Sequence, residues 1–154
     1  VPTLYESLVF VHVLMAIIWV GGAVALQVLY VRAQRSTEPG AMTRTAGDAE
    51  FIGMRVFMPA SIILLLSGIW AVIEGPWEFE QAWISAGFAV WFFSLVVGMG
   101  FLGPESGRIK NLMAERGPDD AQVKKRLARI FLVSRVELVA LIAIVFIMSV
   151  KPWL

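Results

Sequence analysis

Four long apolar stretches leave this chain few folds to choose from. Crossing the hydrocarbon core of a bilayer, about 30 Å, takes roughly 20 apolar residues in helical form. Segments at about 7–31, 56–73, 82–102 and 131–150 reach or approach that length. The composition agrees, with 58% hydrophobic and only 16% charged residues, against roughly a quarter charged in soluble domains. The expectation is an all-α integral membrane four-helix bundle, a single domain over 1–154, with connections at 32–55 and 103–130. The first apolar segment is too long for a signal h-region and has no small-x-small cleavage site after it, so it reads as a retained span.

Prolines mark the ends. Pro59 near the start of the second span predicts a kink, and Pro76, Pro104 and Pro152 fall where helices are expected to stop. The stretch "STEPGAMTRTAGDAE" has the composition of a loop, with a short helix expected near Asp48. "DDAQVKKRLARIF" opens on Asp119 and Asp120, which favour a helix N-terminus, and runs without a breaker into the fourth span, predicting a helix longer than the bilayer is thick.

Charge orients the bundle. The connection after the first span carries Arg32, Arg35, Arg44 and Arg55, and that after the third carries Arg108, Lys110, Arg116, Lys124, Lys125, Arg126 and Arg129. The connection "EGPWEFEQ" has no basic residue but carries Glu74, Glu78 and Glu80. By the positive-inside rule both basic connections face the cytoplasm, and both termini lie outside. Tyr5, Trp70, Trp77, Trp83 and Trp153 would then form an aromatic belt at the outer interface.

Several function classes drop out. A net charge of +1 spread over separate clusters implies no nucleic-acid partner. The absence of cysteine excludes disulfides, thiolate metal sites and thiol catalysis. "GMGFLG" has the letters of a dinucleotide fingerprint, but it ends a hydrophobic helix and precedes a proline, where no phosphate loop forms. No nucleophile with an adjacent base assembles, so no enzyme chemistry is indicated. The partners expected are the lipid bilayer and either further copies of the chain or a larger membrane complex.

Polar groups inside hydrocarbon are costly and need a reason. His12, the sole histidine, lies in "VHVLMAIIWVGG", roughly 7 to 8 Å below the outer boundary of the first span. His12, Ala16, Trp19 and Ala23 share one helical stripe, and small Ala16 leaves room beside the imidazole for a flat ring. Two readings are open. Either His12 ligates haem iron or copper, or it hydrogen-bonds a neighbouring helix while Trp19 is packing. Arg55 and Glu137 stand at similar depth on the second and fourth spans, with Glu105 and Arg108 nearby, as a proton or anion site or as an ion-paired clamp. The seven methionines raise a copper-handling alternative, with Met15 near His12.

"HVLMAIIWVGG", "PASIILLLSGIW", "FLGPESGR" and "MSVKPW" together resemble a bacterial family of four-helix integral membrane proteins of unknown function, over nearly the whole chain. That family looks distantly similar to CopD-type copper-resistance membrane domains and to HemJ-type protoporphyrinogen oxidase. The HemJ resemblance lies in a first-helix histidine, a tryptophan at plus seven, here Trp19, and a glycine three beyond, here Gly22. It implies a haem-ligand role for His12, with haem b the expected cofactor, copper the alternative, and a multi-pass location in the bacterial inner membrane. HemJ-type proteins also carry a third-helix lysine four residues after a tryptophan, and aligning on Trp83 puts Gly87 there. A second ligand would then come from water, from Met15 or Met99, or from His12 of another copy. The competing expectation is a non-catalytic accessory or structural subunit of a membrane complex.

Overall fold

The computed structural model describes residues 1–151, so Pro152 and Trp153, expected to stop the last helix and to anchor it, lie outside the described residues. Helix α1, Leu4–Gln34, is closed at its start by a capping box: the Glu6 N–H donates to Thr3 Oγ1 at 3.2 Å and the Thr3 N–H to Glu6 Oε2 at 2.8 Å. Helix α2, Ala41–Ile52, passes through a π-helical turn, Gly53–Phe57, into α3, Met58–Glu74. Helix α4, Ala82–Val97, passes through a second π-helical turn, Gly98–Leu102, into α5, Gly103–Arg116. Helix α6, Ala121–Val150, is capped by the Asp120 carboxylate, which accepts the Gln122 N–H.

The connections hold more helix than the sequence predicts. Helix starts at Ala41, ahead of Asp48, and Pro104 lies in the first turn of α5 instead of ending a helix. Each π turn stands one residue before a proline, in similar words, "GMRVFMP" and "GMGFLGP". In each, the residue before the proline donates its N–H to a carbonyl five residues back, Met58 to Gly53 and Gly103 to Gly98. A proline in a regular helix lacks a donor and crowds the carbonyl four residues back. Widening one turn relieves that crowding and lets the helix run on. The result is four continuous rods, Leu4–Gln34, Ala41–Glu74, Ala82–Arg116 and Ala121–Val150, each long and apolar enough to cross a membrane.

Helix α1 packs along α3 and also touches α6, and α6 packs against α4. The Trp91 indole of α4 donates to the Ser61 carbonyl of α3 at 3.1 Å and closes the ring. Neighbours in the ring are antiparallel, with α3 and α6 on one diagonal and α1 and α4 on the other.

At the end carrying the basic connections, α5 and the start of α6 extend past the apolar segments and meet α2. Ile109, Val123 and Leu127 form a small core there, with Met42, Ala46 and Leu112 against it. The Glu105 carboxylate is only 3% exposed and accepts from Arg126 at 2.7 Å and Arg108 at 3.4 Å. Lys110 pairs with Glu50 at 2.6 Å, and the Asp119 carboxylate takes the Gly40 N–H at 3.0 Å. Just inside, the Tyr30 and Phe131 rings stack at 3.8 Å and Gln27 Nε2 donates to the Phe131 carbonyl at 3.2 Å, fastening α1 to α6.

Burial alone would raise the Glu105 carboxyl, but the hydrogen bonds and charges of Arg126 and Arg108 outweigh it and hold it below the ordinary value of 4.5. Its stabilisation is therefore complete above that value and is lost as pH falls through the depressed one. Glu105→Gln should destabilise the detergent-solubilised protein by about 1.5 to 2 kcal/mol at neutral pH, the low end for charged hydrogen bonds because both arginines are partly solvated. The gap from wild type should narrow on acidification. Thermal unfolding of both proteins across pH checks it, and equal stability at neutral pH would refute the clamp.

Candidate functional site

Helix α1 presents His12 to α3, where Nδ1 lies 2.8 Å from the Leu64 carbonyl oxygen. A carbonyl only accepts, so Nδ1 carries the hydrogen and donates it. In the neutral imidazole the lone pair is then on Nε2, which makes no hydrogen bond among the described residues. Gly68, one turn beyond Leu64, makes the approach possible: a Cβ there would sit 2.8 Å from His12 Cε1 and 2.9 Å from Nδ1.

His12 forms part of the wall of a cavity of about 700 Å³ between the spans, within the range of small-molecule sites. Ala16 and Trp19 of α1, Gly68 of α3, Trp83 and Gly87 of α4 and Met148 of α6 share that wall. At the end opposite the basic connections an aromatic group closes it. Trp77 Nε1 donates to the Tyr5 hydroxyl at 2.8 Å, and the Trp77 and Trp83 rings meet edge to face at 5.2 Å. Lys151 Nζ stands 3.9 Å from the centre of the Trp77 ring and 5.0 Å from that of Trp83, close enough for cation–π attraction. Trp83 is 7% exposed, and its indole N–H is buried without a partner. Trp77 and Trp83 thus build the cavity and do not serve as lipid-facing belt residues, whereas Trp70 is exposed and bonds Glu74.

Of the expected site residues, His12, Ala16 and Trp19 come together on the cavity wall. Gly22 does not. A Cβ on it would meet the Phe57 ring at 2.6 Å, so it serves the packing of α1 against the π turn. Met15 does not line the cavity, and Met99 is 62% exposed on the second π turn. The thioether that does line it is Met148, whose Cε lies against Gly87.

The expected Arg55–Glu137 ion pair is not formed. Arg55 is exposed on the first π turn, while Glu137 is half-buried on α6 and faces Ser94 of α4 without closing a hydrogen bond. The physical reason is the order of the ring, which sets the second and fourth spans on a diagonal. Glu105 and Arg108 do pair, but with Arg126 as the third member. Arg135 Nε donates to Gln27 Oε1 at 3.4 Å. Among the described residues no group of three or more histidines and carboxylates gathers as a metal site.

Four membrane-length helices around a cavity define an integral membrane protein in contact with the lipid bilayer. The chain belongs to the family described as "Predicted integral membrane protein (DUF2269)", which it matches over residues 6–152. No curated protein and no solved structure matches it.

The contact between Gly68 and the imidazole makes a sharp expectation. Gly68→Ala should destabilise the protein by about 1 to 3 kcal/mol through overpacking, whereas Gly21→Ala, whose Cβ would meet nothing within 4 Å, should change little. Thermal unfolding in detergent compares them, and equal effects would argue against the seated imidazole.

Proposed function

We propose that this chain is a ligand-binding, redox-associated membrane protein whose cavity takes haem b through His12. The observation that carries the reading is the His12 imidazole, held by Leu64 in the tautomer that leaves Nε2 for a metal. Metal-ligating histidines commonly give their other ring N–H to a carbonyl in this way. The wall fits a flat apolar group: it is built mostly of aromatic and aliphatic side chains with small Ala16 beside the imidazole, and among the described residues no carboxylate lines it. His12 would hold the iron, with Met148 the candidate for a second ligand in place of Met15 or Met99. Bound haem would supply one-electron redox chemistry; the chain's own residues orient it and exclude water. For copper, His12 and Met148 offer only one imidazole and one thioether, a thin donor set that favours the haem reading.

Protein expressed with haem in excess should show a Soret band that His12→Ala abolishes without loss of helical circular dichroism. Ala16→Leu should lower haem content by filling the space beside the ligand. Met148→Leu should shift a low-spin spectrum toward high spin if the thioether ligates. A colourless wild type that co-purifies with other subunits would instead support the accessory-subunit reading.

We also place the protein in a bacterial inner membrane with both termini, and so the aromatic end of the cavity, outside. The support is the basic content of the two long connections, which together hold eleven of the 13 Lys and Arg residues. A cysteine at Glu78 should react with an impermeant reagent added outside intact cells and one at Lys125 should not. The reverse labelling would overturn the orientation.

A further inference from the structure

We infer that the cavity selects a ligand carrying a carboxylate on an apolar body, and that Lys151 at its aromatic end binds that carboxylate. The inference rests on the reading of the cavity as a ligand site, though not on iron at His12.

Lys151 supplies the cation of the cavity wall, and no Asp or Glu shares that wall. The ion pairs among the described residues all belong to the opposite, basic end, and none uses Lys151. The acidic residues at its own end do not claim it; Glu74, for one, takes the Trp70 indole N–H at 3.2 Å. Its place is set by the backbone. Lys151 ends α6 in the left-handed conformation, φ 46°, with its N–H donated to the Ile147 carbonyl at 2.8 Å. From there Nζ lies over two indole rings at the mouth.

A further donor stands beside it. The Tyr5 hydroxyl, which shares the cavity wall and accepts from Trp77, keeps its own hydrogen to give. Ammonium and phenol offer hydrogens and no anion, which suits a carboxylate with two acceptor oxygens. Below this mouth the wall is apolar as far as His12, so the complementary molecule is an amphiphile.

Val13 and Ile17 of α1 and Val145 of α6 line the cavity and are 48%, 62% and 42% exposed, which marks the side between α1 and α6 as the way in. The named fastenings between α1 and α6, Tyr30–Phe131 and Gln27–Phe131, lie in the other half of the bundle. The cavity therefore opens sideways between α1 and α6, into the leaflet that holds the aromatic end. A molecule already in that leaflet, carboxylate at the interface, enters without passing through water. Haem with its propionates and a long-chain fatty acid share this chemistry.

The test uses the full chain in phosphatidylcholine nanodiscs at mildly alkaline pH, titrated with haem, haem dimethyl ester, cis-parinaric acid and methyl cis-parinarate. Absorbance follows the porphyrins, and energy transfer from tryptophan follows the polyene. For at least one pair the acid should bind about tenfold or more tightly than the ester, the size expected of a charge-assisted hydrogen bond. Lys151→Gln should bring that ratio to about one, and Lys151→Arg should restore it. A preference within the porphyrin pair identifies haem as the source. A preference within the polyene pair alone, with no haem bound, sinks the haem reading but supports this one. Equal affinity for acid and ester in both pairs, a preference that survives Lys151→Gln, or no binding of any of the four probes would overturn it.

Discussion

The hydrogen bond from His12 Nδ1 to the Leu64 carbonyl governs how the rest of the bundle is arranged. Helices in lipid gain nothing from expelling water between them, so they associate through close packing and scattered polar contacts. Such a bond contributes about 0.6 kcal/mol on average, too little to hold two spans together. What it sets is register. It brings the imidazole onto the bare backbone of Gly68, draws α1 along α3, and turns the other face of the ring to the cavity. The same bond selects the tautomer. Structural and ligating readings of this histidine are therefore compatible, since the interhelical bond uses one nitrogen and leaves the other.

The two ends of the bundle are built differently. At the basic end Glu105, Arg126 and Arg108 clamp α5 to α6, the Ile109–Val123–Leu127 cluster fills the space between them, and Tyr30 stacks on Phe131. The π turns before Pro59 and Pro104 let the spans continue into that assembly without a break. At the aromatic end Tyr5, Trp77 and Trp83 close over a cavity that side chains do not fill.

The four spans and the long α6 were legible in the sequence, because hydrophobic length is a local property; of the stripe His12, Ala16, Trp19 and Ala23, the first three line the cavity and Ala23 does not. Which spans touch is a tertiary property. Arg55 and Glu137 share a depth, and depth alone suggested a pair that the diagonal placement forbids. Pro104 read as a stop because the usual rule assumes a regular turn before proline, and a π turn removes the clash that gives the rule its force. Met148 and Lys151 were hidden for another reason. They sit at the far end of the chain from His12, and only the antiparallel contact of α1 with α6 brings them onto one cavity. Trp83 read as an interfacial anchor, the usual role of tryptophan near a span end, and its burial depends on the packing of Trp77 over it.

The charge of Lys151 leads from shape to chemistry: an ammonium resting on two indole faces is attracted by them but has no anionic partner among the described residues. That ammonium lies at the aromatic end, at the opposite end of an apolar wall from an imidazole nitrogen with a free lone pair. A guest satisfying all three must be apolar along its length, acidic at the interface, and able to meet the imidazole lower down. A membrane acid meets the first two conditions, and a metalloporphyrin with acidic side chains meets all three.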